Sequence, residues 1–438
     1  MKKLYTFLLL SIFAATDILA SGLSTCDFNY INDLVGGRAT GMGGAYTAIS
    51  DDPSGAFYNP AGLVYAIDNQ ISLSVNSYKN RKSVYKSVIG SNDYEQEVSS
   101  FYPSFFGVTQ SFGQVKIGFT FATLNNEILD QDSYFDDLTL PIDGTDAPTT
   151  YNMNYNITEN TILAGPSVAL FATDNLSFGL TLYIMKKAKQ EIALQMITYE
   201  YNGAKRYSQD STYITEDVWA IKPVLGTQYM PNKYIALGLS ISPGFVLSHT
   251  KDTQLFRKPY AGGNDMNQTN PDGDPLITFK TADNDIDDSK IPTLVRLGAA
   301  YYPSNKLIFT TDIIAHIGSQ NLQNDVENTF NIALGTEYYL TASFPIRFGI
   351  FTNFANTPNI DKSKANQEAH TNLLGLSSSL SWQTRNSSIT LSGFYQASEF
   401  FGISPLGEGE AQVYAGSTTV QEMQMTLYSV SLTGSARY

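Results

Sequence analysis

The chain has 438 residues and is acidic, with 41 Asp and Glu against 27 Lys and Arg and a formal net charge of −14. This charge argues against nucleic acid as a partner, because two polyanions repel each other. A single cysteine rules out an intramolecular disulfide framework. The 28 Tyr and 25 Phe, without a second long apolar run after the N-terminus, favour a β-rich chain over a set of membrane helices.

Residues 1–22 have the form of a secretory signal. Lys2 and Lys3 precede an apolar run, Leu4 to Ala15, that is too short to span a bilayer, and small residues follow at Ala20 to Gly22. The next residues, Leu23 to Cys26, resemble a lipoprotein processing box. Lipidation of Cys26 and an unmodified thiol both remain open.

Residues 23–68 are expected to form a plug. The stretch from Gly36 to Tyr65 is dense in glycine, low in charge and without helical or two-residue periodicity. Its glycines permit positive φ angles and close backbone contacts, while Asp51-Asp52-Pro53 and Asn59-Pro60 favour turns. Such a segment needs a container.

Three blocks occur in order within this plug: Gly41-Met42-Gly43-Gly44-Ala45-Tyr46, then Asp51-Asp52, then Asn59-Pro60-Ala61-Gly62-Leu63. Their order resembles the N-terminal hatch of FadL-type outer-membrane transporters of long-chain fatty acids, which include TodX-type carriers of aromatic hydrocarbons. A related hatch occurs in PorV-like accessory barrels of secretion systems. The resemblance therefore predicts a fold more firmly than a cargo.

The resemblance implies that the hatch controls passage where it obstructs the lumen. The residues expected to take part are Gly43, Gly44, Asn59, Pro60 and Ala61. The alternative is that Asn59-Pro60-Ala61 only starts a helical turn that packs the hatch against the wall. The two interpretations are not exclusive.

Residues 69–438 are expected to form a transmembrane antiparallel β-barrel. In Leu176 to Ile184 and in Ile235 to Ser242, apolar residues alternate with small or polar ones, which gives one face for lipid and one for a lumen. Fourteen such segments are predicted: 69–79, 99–110, 115–126, 156–172, 176–199, 211–230, 234–249, 291–302, 306–317, 328–340, 345–355, 370–384, 387–399 and 420–438.

Short turns alternate with longer loops between these segments, as in bacterial outer-membrane barrels. An even number of strands places both chain ends on the periplasmic side, so the hatch can fold up into the lumen. The last strand ends in Tyr438, and a terminal aromatic resembles a sorting signal of outer-membrane barrels. A soluble β-sandwich or solenoid explains the alternation but not these other features together.

Signals for catalysis, a metal or a cofactor are poor. His249, His316 and His370 are far apart and lack metal-ligand spacing. His316 shares a strand face with Asp312, which predicts a lumenal polar pair. The acidic loop 251–290 is expected to be solvated surface, since its oxygen-rich residues do not match an EF-hand.

Four lumenal cations are candidates for binding a carboxylate: Lys116, Lys222, Arg296 and Arg347. Strand parity places each of them on the inner face of the barrel. The alternative for any one of them is pairing with lumenal acids such as Asp312 and Glu337.

A break in the wall is expected because FadL-type barrels have an inward kink in the third strand that opens a lateral path. Gly118 permits such a kink. Gly165-Pro166 on the next strand is a candidate border of the opening, because proline lacks a ladder donor. An unbroken third-to-fourth strand pairing beside Pro166 would contradict this placement. Rival breaks are Pro103, Pro223 and Pro243-Gly244.

The sequence thus predicts passive transport of hydrophobic compounds, above all long-chain fatty acids, across the outer membrane without a cofactor. The alternatives are a PorV-like barrel that docks other proteins, or a surface adhesin. The apolar tract Glu399 to Leu406 suits either a ligand-capturing lip or a partner-binding patch. A polar porin fits less well, because the hatch would block a water-filled channel.

Overall fold

The structure is a computed structural model that describes residues 29–66, 69–89, 92–142, 145–201, 203–260, 277–283, 291–318, 327–361, 363, 369–400, 410–413 and 420–438. The expected signal segment, Cys26, most of the acidic part of loop 251–290 and residues 401–406 of the apolar tract lie outside this range. Within it, no helix has the length and apolar character needed to cross a membrane.

Strands make up most of the described chain. They are β1 (Gln70–Ile89), β2 (Asn92–Phe112), β3 (Val115–Ile142), β4 (Thr145–Thr173), β5 (Leu176–Tyr201), β6 (Ala204–Asn232), β7 (Ile235–Ser242), β8 (Phe245–Tyr260), β9 (Ile277–Asp283), β10 (Thr293–Ser304), β11 (Leu307–Ile317), β12 (Thr329–Thr341), β13 (Phe344–Asn353), β14 (Leu373–Gln383), β15 (Ser387–Ala397), β16 (Glu410–Val413) and β17 (Val420–Arg437). All of the pairings are antiparallel, as between β1 and β2 and between β1 and β17.

The strands close into a 14-stranded antiparallel barrel. Each strand from β1 to β6 pairs with the one that follows it, and β7 pairs with β10. Pairing continues from β10 to β15, and β17 joins β15 back to β1. The remaining strands, β8, β9 and β16, form hairpin extensions beyond the wall. The predicted fold class and strand number are confirmed. Closure pairs each of these 14 strands with a neighbour on both sides, which limits the unpaired backbone that would face lipid.

The expected single strand 234–249 is wrong, because it is interrupted at Pro243-Gly244. β6 pairs with β7 as far as Leu225 and with β8 from Ile221, in one register that places Pro223 opposite Pro243. Two facing prolines remove both backbone donors at this point, so the ladder cannot continue through it.

Strands β1 to β6 are 20 to 29 residues long and extend well beyond the expected segments. The predicted loops between 79 and 99, 126 and 156, and 199 and 211 are therefore largely strand. Near the short turns the outward face of these strands is apolar, whereas farther along the strands the apolar residues face inward. In β4, Val168 and Leu170 face outward near the turn, whereas farther along Tyr155 and Ile157 are buried inside. A search for lipid-facing apolar alternation misses the extended part for this reason.

Aromatic side chains stand outward next to the short turns that join the strands. They are Phe112, Tyr229, Tyr234, Tyr301, Tyr338, Phe344 and Trp382. Such a girdle, followed along the strands by exposed Leu, Ile and Phe, is typical of a transmembrane barrel at one membrane interface. The short turns therefore mark the periplasmic rim.

Residues 29–66 form a hatch inside the barrel. It contains α1 (Gly37–Gly41), α2 (Gly55–Tyr58) and a 3₁₀ helix (Pro60–Tyr65). Most of its side chains are buried, among them Met42, Tyr46 and Leu63. The 3₁₀ helix contacts β3 to β6, while α1 contacts β13 to β15 and β17, so the hatch crosses the lumen from one wall to the other.

Candidate functional site

The hatch backbone depends on glycine at three positions. Gly36, Gly43 and Gly44 have φ angles of 84°, 65° and 79°, a region that other residues rarely adopt. Gly43 and Gly44 reverse the chain directly after α1, which brings Ala45 to Thr47 back against the wall. The glycine-dense string thus serves the shape of the plug.

Asn59 ties the hatch to itself and to the wall. Its side chain is fully buried, and its Nδ2 donates to the carbonyl oxygens of Thr47 at 2.8 Å and Thr227 of β6 at 3.0 Å. Its Oδ1 accepts from the backbone N–H of Ala61 at 3.2 Å, which caps the 3₁₀ helix that Pro60 begins. Asn59 therefore both starts the helical turn and fastens it to the barrel.

Hydroxyl groups of the wall bind carbonyl oxygens of the same part of the hatch. Ser177 donates to Ala61 at 2.9 Å, Thr181 to Ala56 at 2.9 Å, and Ser240 to Tyr58 at 2.7 Å. These bonds satisfy buried backbone acceptors of the hatch without any ionic contact. The C-terminal part of the hatch is thus held on β5, β6 and β7.

A belt of wall glycines lets the hatch backbone lie directly against the sheet. These are Gly179, Gly226, Gly238, Gly298, Gly335 and Gly349, and they form three cross-strand pairs: 179 with 226, 238 with 298, and 335 with 349. A Cβ at each position would meet a heavy atom at 2.7 Å or less; at Gly179 it would lie 2.3 Å from the Pro60 carbonyl carbon. From the sequence, Gly179 and Gly238 are recognisable only as small residues on the lumenal face of alternating strands. Their recurrence at a fixed distance from the short turns was the available signal.

Charged groups hold the other side of the hatch. Arg38 of α1 binds both carboxylate oxygens of Glu337 on β12, at 2.8 and 2.9 Å, and also pairs with Asp51 of the hatch. Arg347 on β13 donates to the same Glu337 at 2.5 Å. Because Glu337 and Arg347 are almost fully buried, this network is shielded from solvent.

Asp312 of β11 binds the middle of the hatch. Its Oδ2 accepts from the backbone N–H groups of Tyr46 and Thr47 at 3.1 and 3.0 Å, and from the Thr47 hydroxyl at 2.6 Å. The expected polar pair with His316 is not what forms: His316 instead bonds Thr329 at 3.2 Å and stacks on the ring of Tyr30. No cluster of three metal-binding side chains occurs among the residues that the structure describes.

A polar cavity of about 180 Å³ lies between the hatch and the periplasmic ends of β12 to β15, β17 and β1. Its lining includes Arg38, Asp51, Asp52, Arg347 and several wall hydroxyls. Burial raises the pKa of Asp52, although hydrogen bonds from Ser54 oppose this shift. The underside of the hatch is therefore hydrophilic.

An apolar cluster lies on the opposite side of the hatch, farther from the short turns. Leu163, Tyr183, Met185, Ala220 and Val224 of β4 to β6 form its buried part, and Phe57, Leu124 and Ile291 pack against them while remaining half-buried. We call these eight residues the lumenal cluster. Phe57 belongs to the hatch, so the cluster reaches from the wall onto the plug.

Two cations stand beside the lumenal cluster. Lys222 lies between Ala220 and Val224 on the inner face of β6, and the Arg296 guanidinium of β10 lies 5.7 Å from the centre of the Phe57 ring and 5.1 Å from that of Tyr58. Neither forms an ion pair with an acid in the described part of the chain. Arg296 and Lys222 are close enough to repel each other, Asp312 attracts Arg296 from beyond ion-pair distance, and Arg296 Nε has no hydrogen-bond partner among the described residues. Two cations in this setting favour an anion between them.

The other two predicted carboxylate partners have different contacts. Lys116 donates to the carbonyl oxygen of Ala66 at 2.7 Å, near the periplasmic rim. Arg347 is engaged by Glu337, Ser379 and Ser381. Both residues belong to the wall and lie at the level of the hatch or closer to the short turns. They fasten the plug, so they are no longer candidates for binding a head group above it.

The wall has a seam between β2 and β3. These strands pair only from Phe105 with Ala122 to Phe112 with Val115, although in the described residues both continue for 13 residues or more beyond. Pro103 explains the end of the ladder: its carbonyl accepts from the Thr123 hydroxyl of β3 at 3.0 Å, so its nitrogen, which has no hydrogen, also faces β3. A bulge at Leu124 bends β3 at the same level.

The expected opening beside Pro166 is wrong. β3 and β4 pair without interruption through Gly165 and Pro166, and Gly118 is paired on both sides. On the other side, the β4–β5 ladder skips Gly165 and Pro166 and resumes in the same register at Ser167. Pro166 is accommodated because β3 stays paired beside it and the β4–β5 ladder resumes beyond it, whereas Pro103 coincides with a bulge on the facing strand. Of the rival breaks, Pro103 marks the seam.

Comparison with known proteins gives the fold a precedent. No family model and no curated protein matches the sequence. Among solved structures, a Pseudomonas aeruginosa FadL homologue superimposes with a TM-score of 0.65 at 12% identity, covering 93% of this chain and 99% of that one. The chain has the FadL-type fold. The toluene transporters TbuX from Ralstonia pickettii (TM-score 0.58, 14% identity, 94% and 100% covered) and TodX from P. putida (0.57, 13%, 93% and 99%) share it.

This FadL-type fold supplies the container that the hatch motif requires, and here its lumen has two unlike halves. Below the hatch the walls are polar and hydroxyl-rich. Above it, the lumenal cluster and two cations lie at the level where the β2–β3 seam opens. Apolar and cationic side chains therefore lie together on the side of the hatch away from the short turns.

Proposed function

We propose that this chain is a FadL/TodX-type outer-membrane transporter that carries amphipathic acids, above all long-chain fatty acids, passively through the barrel. The observation that supports this most is the position of Arg296 and Lys222 beside the lumenal cluster, since neither forms a direct ion pair with an acid of the described residues. Arg296 is buried and Lys222 half-buried, and cations in such places are costly unless an anion compensates them.

The apolar tail provides most of the binding free energy in this proposal. Burying apolar surface contributes about 25 cal/mol per Å², so an acyl chain laid along the lumenal cluster offsets the cost of immobilising it. The carboxylate then adds orientation, because charge-assisted hydrogen bonds to Arg296 and Lys222 fix the head next to Phe57.

Aromatic hydrocarbons are the second candidate cargo. Several similar structures are channels or transporters for such compounds by name: CymD is a monoaromatic hydrocarbon channel, and TbuX and TodX are toluene transporters. A hydrocarbon would use the lumenal cluster and Phe57 but leave Arg296 and Lys222 uncompensated. The two cations therefore favour an acid.

The release route follows from the two halves of the lumen. Leu124 belongs to the lumenal cluster and also forms the bulge at the seam, so apolar surface leads from the pocket to the wall. A downward path would cross the hydrophilic underside of the hatch, which disfavours an acyl chain. Release is therefore lateral. Small shifts of the hatch at Gly43, Gly44 and Asn59-Pro60-Ala61 control it by moving Phe57.

Binding of matched probes to the purified barrel tests this function. Oleate, oleyl alcohol and toluene are titrated against the wild type, the double variant Arg296→Met/Lys222→Met, and Lys306→Met. Lys306 is the control, because it is an exposed cation of a short turn. We expect the double variant to weaken oleate at least tenfold and oleyl alcohol less than threefold, as for the loss of a charge-assisted hydrogen bond.

Each other outcome points to a different function. Toluene bound more tightly than oleate, with no effect of the double variant, would identify a hydrocarbon carrier. Absence of binding for all three probes, with another protein co-purifying from the outer membrane, would favour a docking barrel. An equal loss for oleate and oleyl alcohol would show that the two cations only shape the hatch.

A further inference from the structure

A third lumenal cation, Lys79 of β1, has no assigned role. Its side chain is only 2% exposed, and its Nζ has no hydrogen-bond partner in the described part of the chain. The contact that it does make is with the ring of Tyr102, whose centre lies 5.9 Å from Nζ. An ammonium group has three N–H donors, and burying it without hydrogen-bond acceptors is costly, so the site lacks an acceptor or anion for Lys79.

Lys79 lies at the seam. It pairs in register with Ser100 of β2, and Tyr102 is next to Pro103, where the β2–β3 ladder ends. The hydroxyl of Tyr102 donates to Asp33 of the hatch at 2.8 Å, so the same side chain connects Lys79, the seam and the plug. Lys79 is separate from Arg296 and Lys222, which stand on β10 and β6.

An ion pair crosses the seam on its inner side. Arg81 of β1 binds Glu127 of β3 at 2.9 Å, and both side chains are buried. Because β2 lies between β1 and β3, this pair spans the inner face of β2 and replaces the missing ladder. Above it, Gln131 of β3 reaches the carbonyl oxygen of Glu95 on β2 at 2.5 Å. The gap between these bridges is closed by side chains, which can move, and not by backbone.

The outer border of the gap is apolar. Phe101 and Ile128 point outward on either side, with exposed fractions of 71% and 57%. Eight residue pairs separate the end of the ladder from the short turn, which is about 19 Å of height for strands tilted by about 45°. In a hydrocarbon band about 25 Å tall, the gap opens in the outer leaflet.

We propose that Lys79, beside the Arg81–Glu127 pair, is a second carboxylate-binding station at which the cargo's head group is held while its tail passes through the seam into the outer leaflet. This inference rests on the proposed function. The head group moves from the Arg296–Lys222 pair to Lys79, where Arg81 offers further N–H donors once Glu127 is displaced. Lys79 then selects acids over neutral lipophiles at the exit.

Transport and binding measured separately test the station. Wild type, Lys79→Met, Lys79→Arg and the control Lys86→Met are reconstituted in lipid vesicles, and the transfer rates of oleate and oleyl alcohol to the bilayer are followed. Lys86 is a matched control because it is on the same strand but forms an exposed pair with Asp93. The affinity of each variant for oleate in detergent is measured in parallel.

We expect Lys79→Met to slow oleate transfer at least tenfold, to change oleyl alcohol transfer less than twofold, and to leave the oleate affinity within threefold of wild type. Lys79→Arg should restore oleate transfer. Equal slowing of both probes, or oleate transfer equal to that of Lys86→Met, would overturn the station while leaving the proposed function intact. A wild type that binds and transfers neither probe would overturn both.

Discussion

Removing the Asn59 side chain tests how the hatch is held. Asn59→Ala deletes three buried hydrogen bonds, to Thr47, Thr227 and Ala61. At about 1 kcal/mol net for each bond, the folded, attached hatch loses about 3 kcal/mol relative to a state in which residues 55–66 are both detached from the wall and unfolded. This corresponds to about a hundredfold increase in the detached population. The barrel itself should keep its stability, because Asn59 contributes nothing to the strand ladder.

Hydrogen exchange of the hatch amides measures this population, since exchange through local opening reports its free energy. We expect residues 55–66 to exchange about a hundredfold faster in Asn59→Ala, with the strand amides unchanged. Asn69→Ala is the control, because it removes an exposed bond to Ser111 at the rim. A hydrogen-exchange rate of the hatch amides within twofold of wild type would show that Asn59 does not hold the plug and that its hydrogen bonds do not contribute about 3 kcal/mol.

Three further predictions concern the glycine belt, the polar cavity and the seam. Gly226→Ala places a Cβ 2.1 Å from Asn59 Oδ1 and should weaken hatch attachment by about 1–3 kcal/mol. Gly434→Ala is the control, because its Cβ would meet nothing within 4 Å. Hydrogen exchange of the hatch amides compares the two variants. Because burial raises the pKa of Asp52 in the folded hatch, the wild-type hatch should gain stability as pH falls through that raised pKa toward the ordinary value near 4. Asp52→Asn should be more stable than wild type at pH 7 and lose this advantage in acid, and an unchanged difference between pH 7 and pH 4 would contradict the assignment. Pro103→Val restores a backbone donor facing β3 and should slow release of oleate into vesicles severalfold without changing its affinity; release at the wild-type rate would mean that the seam is not the exit.

The barrel was predictable because its signals are local and repeated. Alternation in segments such as Leu176 to Ile184 has a period of two whatever the neighbouring strands are, and short turns recur at each periplasmic end. The strand boundaries are predicted wrongly where the two-residue period continues but the apolar side chains face inward and the polar ones outward. Tyr94 and Tyr155 point inward above the membrane band, so a search for outward apolar residues reads those stretches as loops.

Candidate site residues were predicted with less success because parity places a side chain on a face but not beside a partner. Strand alternation places the side chains of four residues on the inner face without distinguishing among them: Lys116, Lys222, Arg296 and Arg347. Only the packed hatch distinguishes them, since Ala66 and Glu337 engage two and leave Lys222 and Arg296 beside the lumenal cluster. Lys79 and Phe57 carried no motif at all.

The sequence by itself determined the class of fold, the presence of a plug and the turns at Gly36, Gly43 and Gly44, because these depend on backbone preferences and on repeated local patterns. Tertiary structure alone decided where the wall opens. Pro103 and Pro166 are chemically identical, but the β2–β3 ladder ends beside Pro103, where β3 bulges at Leu124, whereas β3 stays paired with Pro166. Whether a missing donor breaks a sheet depends on the facing strand, which sequence order does not reveal.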